Sequence, residues 1–249
     1  MSKDLSSTLH GWDYNPNEVT VRRIQGSDGR EKIQMRLDLG VLQMEVSGRP
    51  DGRRPYGYES LLEYQLERKA RAEEEGDWSE WSLDAEECAE LKQEAMQYYY
   101  RYLSLFHLGD YWNVIRDTER NVRVFDIIRD FAQDENDRMS LEQFRPYVLM
   151  MNARARACIA LEDKSYDRAL QLIEAGIENI RDFFREVERE DLIEHCREIQ
   201  FLEEWAERIE TNRPVSPADR LRKELSQAVE QEDYERAAEL RDKIRSLAA

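Results

Sequence analysis

The sequence predicts a mainly α-helical protein with a small antiparallel β-meander at its N-terminal end and a helical hairpin at its C-terminal end. Three observations carry this reading. Apolar and polar residues alternate through residues 18–47, and the alternation is lost after Tyr58. From Ser82 to about Asn212 nearly every window repeats its apolar residues at helical spacing. After Ser216 the helical period returns in two short stretches. A chain of 249 residues suffices for one elongated helical domain with small modules at its ends. The expected division is an arm and meander over 1–57, a helical body over 58–212 and a hairpin over 213–249.

In chain order, residues 1–17 hold Ser, Asn, Gly and Pro without periodicity, and Trp12 and Tyr14 are their large apolar anchors. They read as a loosely attached arm. Val19 and Val21, then Ile33, Met35 and Leu37, then Leu42, Met44 and Val46 mark three strands. Gly26 to Gly29 and Asp38 to Gly40 supply the turns. So small a sheet has no core of its own and must lie against a helix. The segment GRPDGRRPYG, Gly48 to Gly57, then concentrates Arg49, Arg53 and Arg54. These are either a weak anion site or a solvated linker whose arginines face the acidic body. Tyr58 to Glu75 reads as a helix that is apolar early and charged late, with a frayed end. Trp78 and Trp81 flank an acidic loop, either as plugs for the next helix, the commoner case, or as an exposed aromatic pair.

The body from Ser82 to Asn212 breaks at Gly109–Asp110, Gln133–Asp137, Lys164–Ser165 and near Arg189, giving five or six long helices. Ser82 precedes an acidic first turn, Ser140 with Gln143 has the spacing of a capping box, and Pro146 starts or kinks a helix. Val148, Leu149, Met150, Met151, Ala155, Cys158 and Leu161 mark a central helix buried on most sides. A groove beside that helix is the natural place for a peptide. Residues 109–125 can be laid on residues 164–180, with Tyr111 on Tyr166 and Ile115 on Leu170. Two helix pairs joined at a turn result. The pattern resembles the tetratricopeptide repeat, with Ala169 and Gly176 in its small positions and Val114 and Asn121 departing from them. The copies lie 55 residues apart, beyond the usual period of about 34, so longer helices or an insertion are expected.

Ser216 can N-cap a helix that has Pro217 at its first position. Leu221, Leu225, Ala228 and Val229 fall on one stripe, Glu232 and Asp233 break it, and Ala237, Leu240, Ile244 and Leu247 share a face of a second helix. Ala237 and Ala238 are small enough for a neighbouring backbone to come close. This hairpin resembles the UVR motif, the short coiled-coil module of the UvrB and UvrC excision-repair proteins that also occurs in activators of bacterial protein arginine kinase. Leu221, Glu224, Leu225, Ala228, Val229, Tyr234, Glu235, Ala237, Ala238, Leu240, Arg241, Asp242 and Ile244 carry the match, and AAELRDKI is its most specific run. The resemblance implies a contact with a partner hairpin and no catalysis. The residues it nominates are Leu221, Leu225, Ala228, Tyr234, Ala237, Ala238, Leu240, Arg241, Asp242 and Ile244. A hairpin this short must dock on the body or on a partner to be stable.

The chain carries 37 basic and 54 acidic residues. Residues 1–58 hold nine Lys/Arg and eight Asp/Glu, so the remaining 28 basic and 46 acidic residues make the helical part strongly negative. Such a field repels phosphate backbones, and no direct nucleic-acid contact is expected. No apolar run spans a bilayer and the first residues lack the apolar core of a signal peptide, which points to a cytoplasmic protein without a membrane contact. Cys88, Cys158 and Cys196 are too far apart for a zinc ribbon, unlike the cysteine-rich modules of the arginine-kinase activators. No metal or cofactor is expected. His10, His107 and His195 form no catalytic arrangement, since His195 and Cys196 as helix neighbours point about 100° apart. The expectation is a non-catalytic adaptor that engages a protein partner, another copy of itself included, through the hairpin. The alternatives are a sensor using the meander and the Arg49–Arg54 loop, and an enzyme of unrecognised type.

Overall fold

The computed structural model describes residues 4–76, 81–214, 217–231 and 233–247; Trp78, Ser216 and Glu232, named above, lie outside them. The chain forms two compact units, residues 1–206 and 207–249. The first contains helix α1 (Ser6–Leu9), strands β1 (Val21–Gln25), β2 (Glu31–Leu37) and β3 (Gly40–Glu45), and helices α2 (Leu61–Glu75), α3 (Ala85–His107), α4 (Tyr111–Phe131), α5 (Glu135–Met139), α6 (Arg145–Glu162) and α7 (Tyr166–Glu186). Helix α8 (Arg197–Asn212) follows, then the hairpin helices α9 (Pro217–Glu230) and α10 (Tyr234–Leu247). The protein is mainly α-helical, with one small antiparallel sheet and a terminal hairpin, as the periodicities imply.

The sheet is a meander in the order β1-β2-β3, with Ile33 paired to Arg23 and Met44, and Met35 to Val21 and Leu42. Ile33, Met35 and Met44 are buried, and β2 packs on α3. The arm is held more firmly than its composition suggested. The Arg22 guanidinium stacks 3.8 Å from the centre of the Trp12 ring and donates to the Thr8 carbonyl, while Arg36 Nε donates to the Trp12 carbonyl at 2.9 Å. Polar side chains on the sheet thus anchor a segment that has few apolar residues of its own.

Antiparallel helix pairs build the rest of the unit. Helices α3 and α4 pack across the turn at Gly109, α6 and α7 across Lys164–Ser165, and α4 joins the pairs by packing on α6. Gly109 has φ +73°, a left-handed conformation that glycine adopts without steric cost. One core cluster runs from Leu61 and Leu62 of α2 through Leu83, Cys88 and Leu91 to Val124, Ile127 and Ile128 of α4 and Val148 of α6. Trp81 closes it, edge-on to Phe131 at 5.0 Å. The repeat positions fall where two helices cross. Ala169 is fully buried, and a Cβ placed on Gly176 would sit 2.3 Å from that of Ala153. Asn121, the counterpart of Gly176, is buried with its amide donating to the Ala95 carbonyl at 3.0 Å. Helices of 21 residues cannot fit a period of about 34, so the tetratricopeptide likeness is local to the turn and to Ala169 and Gly176.

Two expected caps move. Helix α3 begins with a capping box built by Asp84 and Glu87, not at Ser82. Ser140 caps nothing; its hydroxyl donates to the Asp137 carbonyl at the end of α5, and α6 starts at Arg145 with Pro146 behind it. Glu135–Met139, expected as loop, is the short α5. Helix α2 does not fray but ends at Gly76, φ +85°.

A buried ionic network ties the sheet to the helices. Asp117 of α4 and Glu94 of α3 are both fully buried. Arg101 donates to the two oxygens of Asp117 at 2.7 and 2.8 Å, and its remaining nitrogen reaches the carbonyls of Glu45 and Gly48 at 3.1 and 2.7 Å. Arg116 donates to Asp117 and to the Val46 carbonyl. Glu94 accepts from the backbone N–H of Leu61 and Leu62, satisfying donors of the first turn of α2 that have no partner within the helix, and pairs with Arg49 and Arg120.

Candidate functional site

The C-terminal hairpin is built by its own apolar seam. Helix α9 closes with Gln231 N–H donating to Gln227, and Asp233 N–H returns to the Ala228 carbonyl at 2.8 Å. Asp233 then caps α10, its carboxylate accepting from Arg236 N–H at 3.1 Å. Beyond this turn Ala228, Ala237 and Leu240 (3, 8 and 4 % exposed) form a closed cluster, with Leu221 and Leu225 packed against it. Alanine at 228 and 237 lets the two helices approach closely beside the turn.

The ten nominated residues therefore divide. Ala228, Ala237 and Leu240 face the seam inside the hairpin. The physical reason is that two short amphipathic helices joined by a tight turn bury their apolar faces against each other first; a stripe in the sequence does not say what covers it. Leu221, Leu225 and Ile244 are half-buried along the seam's edge, while Tyr234, Ala238, Arg241 and Asp242 are exposed. Arg241 and Asp242 lie 3.7 Å apart, paired with each other in solvent. Val229, next to the buried Ala228, is 50 % exposed, and Tyr234 is 69 % exposed. An aliphatic and an aromatic group thus stand in solvent on either side of the turn.

Of the three linker arginines, Arg49 and Arg53 both reach Asp51. Arg49 turns inward, its Nε 2.8 Å from Glu94 but out of line for a hydrogen bond, and also pairs with Asp51. Arg53 is exposed 4.0 Å from Asp51, and Arg54 is exposed. Beside α6 lies the expected groove, a cleft of about 500 Å³ lined by Tyr99, Tyr102, Phe125, Phe144 and Tyr147. Lys92 and Glu198 also line it.

The reactive side chains are held apart and muted. Cys88, Cys158 and Cys196 are free thiols, and burial raises each above the ordinary value, Cys88 to about 11. Burial, with Arg154 nearby, lowers His107. Among the described residues no group of three His, Cys, Asp or Glu could hold a metal ion, and no helix is long and apolar enough to cross a membrane.

Residues 217–249 match the family model of the UvrB/uvrC motif. The match begins where α9 begins and covers the hairpin alone. No curated protein and no solved structure matches the chain.

Proposed function

We propose that the protein is a non-catalytic adaptor, organised as an arm and meander (1–57), a helical body (58–212) and a hairpin (213–249) through which it holds a protein partner. The single observation that carries this reading is the match of residues 217–249 to the UvrB/uvrC motif. The geometry supports it: the hairpin closes its own seam and still leaves Val229 and Tyr234 in solvent, with half-covered Leu221, Leu225 and Ile244 beside the seam. A second hairpin would cover these groups as a short four-helix bundle. The exposed Arg241–Asp242 pair would fix the orientation of the partner more than add affinity. The acidic helical part makes a basic or neutral partner more favourable than a phosphate backbone, and a cytoplasmic setting follows from the same reading.

The test is affinity capture by the full chain and by a chain lacking residues 213–249. The adaptor reading expects a partner, or a second copy, that is lost with the hairpin while the remaining body keeps its melting temperature. Capture unchanged by the deletion would refute it.

A further inference from the structure

The cleft of about 500 Å³ in the first unit draws its lining from α3, α4, α6 and the first turn of α8, and six of its fourteen lining residues are aromatic. That volume falls within the roughly 300–1,000 Å³ of small-molecule sites. Tyr99, Tyr100 and Tyr147 are half-buried there, and Phe144 is 48 % exposed. The Tyr99 ring centre lies 5.3 Å from that of Tyr100, 5.5 Å from that of Tyr102 and 6.1 Å from that of Tyr147, at interplanar angles of 60, 89 and 54°. None of these pairs is stacked face to face. Tyrosines from α3 and α6 thus hold one another in place, and a ligand meets rings that are already ordered.

Two residues of the lining are charged, Lys92 and Glu198. Lys92 Nζ donates to Asp137 at 2.6 Å, so its charge is met from within the chain. Glu198, half-buried in the first turn of α8, accepts from the Cys196 thiol at 3.4 Å, and among the described residues no lysine or arginine pairs with it. Arg154 comes near Tyr147 but does not line the cleft; its guanidinium lies over the Phe106 and Phe201 rings, 4.4 and 4.7 Å from their centres. Glu198 is therefore the one charge of the lining without an opposite charge beside it. A carboxylate held among apolar groups without a cation carries a desolvation cost that a ligand cation would offset.

We infer that this cleft binds a small organic cation, an alkylated ammonium that meets the tyrosine rings and Phe144 and faces Glu198. Aromatic rings attract a cation within about 6 Å of their centres, and the attraction grows as water is excluded. An alkylated ammonium also buries its carbon atoms against the rings. A hydrated metal ion gains less, because it asks for several oxygen ligands and the lining supplies a single carboxylate. An anion is disfavoured by Glu198 and by the chain's net charge of −17. The cleft belongs to the first unit, so this inference and the partner contact of the hairpin stand or fall separately.

The experiment titrates the full chain with choline and, separately, with 3,3-dimethylbutan-1-ol, its uncharged isostere, at constant ionic strength, reading saturation-transfer NMR of the ligand protons. The inference expects saturable binding of choline and binding of the alcohol weaker by on the order of tenfold. Glu198→Gln should weaken choline by on the order of tenfold and leave the alcohol as it was, a split between charged and uncharged ligand that a merely structural change would not produce. If Glu198→Gln melts below the parent, Phe144→Ala decides instead: that side chain is 48 % exposed, and its loss should weaken choline severalfold at an unchanged melting temperature. No saturable binding of choline, an alcohol that binds as tightly as choline, or equal choline binding in the parent and the deciding variant overturns the inference.

Discussion

Arg101 and Asp117 form a two-point ion pair, 2.7 and 2.8 Å, out of contact with solvent, and the same guanidinium holds the backbone carbonyls of Glu45 and Gly48. One side chain on α3 therefore fixes both the α3–α4 crossing and the exit of the sheet. Replacing Arg101 by Met leaves Asp117 buried with Arg116 as its remaining cation and removes a donor from the carbonyls of Glu45 and Gly48. The expected loss is about 3–5 kcal/mol in urea denaturation. The double change Arg101→Met, Asp117→Leu should recover a large part of it, because removing both charges also removes their desolvation cost.

The α6–α7 crossing gives a second expectation. Ala169 is fully buried and Gly176 faces Ala153 with no room for a Cβ. Ala169→Leu should cost about 1–3 kcal/mol by overpacking, and Gly176→Ala should also destabilise, although alanine is the better helix former. Thermal melts of the two variants check this; a neutral Ala169→Leu would mean that the crossing is loose.

Cys88 couples pH to stability through its thiol. Burial raises its folded value to about 11 against an ordinary 9.0, so the folded state holds this proton more tightly than the unfolded chain does. Above about pH 9 the unfolded chain loses the proton first, and Cys88 costs the native state stability progressively between about pH 9 and pH 11. Cys88→Ala should flatten that part of the stability curve. In the native protein at pH 8 the thiol should resist a disulfide reagent and react only after unfolding.

Leu240 lies inside the hairpin seam, so Leu240→Asp reports on the hairpin's own folding. It should abolish the helical signal of residues 217–247 in hydrogen exchange by placing an unpaired charge against Ala228 and Ala237. Amides of α3 and α4 should keep their protection. Equal loss of protection in both regions would show that the two units do not fold separately.

What the sequence revealed follows from range. Alternation marks the strands because Ile33, Met35 and Met44 each have polar residues immediately before and after them, and turn chemistry locates Gly109 and Lys164–Ser165 because it acts over four residues. The ionic network was illegible. Glu94, Arg101, Asp117 and Arg120 look like solvated helix charges, since nothing within one turn of each announces a partner 16 to 33 residues away. Arg49 faces the acidic body, as one of its two readings expects, but its particular partner Glu94 lies 45 residues on, beyond the reach of any local pattern. In the hairpin the periodicity shows the apolar stripe but does not tell seam from surface: Leu240 lies in the seam, while Val229, the neighbour of Ala228, is exposed.

The claim that the outward side of the hairpin holds a protein partner is tested most directly by quantitative co-purification from a lysate of the source organism, comparing the full chain with its Val229→Asp, Tyr234→Asp double variant. Both side chains are exposed, so the variant should keep the parent's melting temperature. The account predicts a protein, or a second copy of the chain, held in near-stoichiometric amount by the parent, re-forming the complex from purified components, and lost from the double variant. A parent that sediments as a monomer and holds nothing, or a variant that holds everything the parent does, would contradict it.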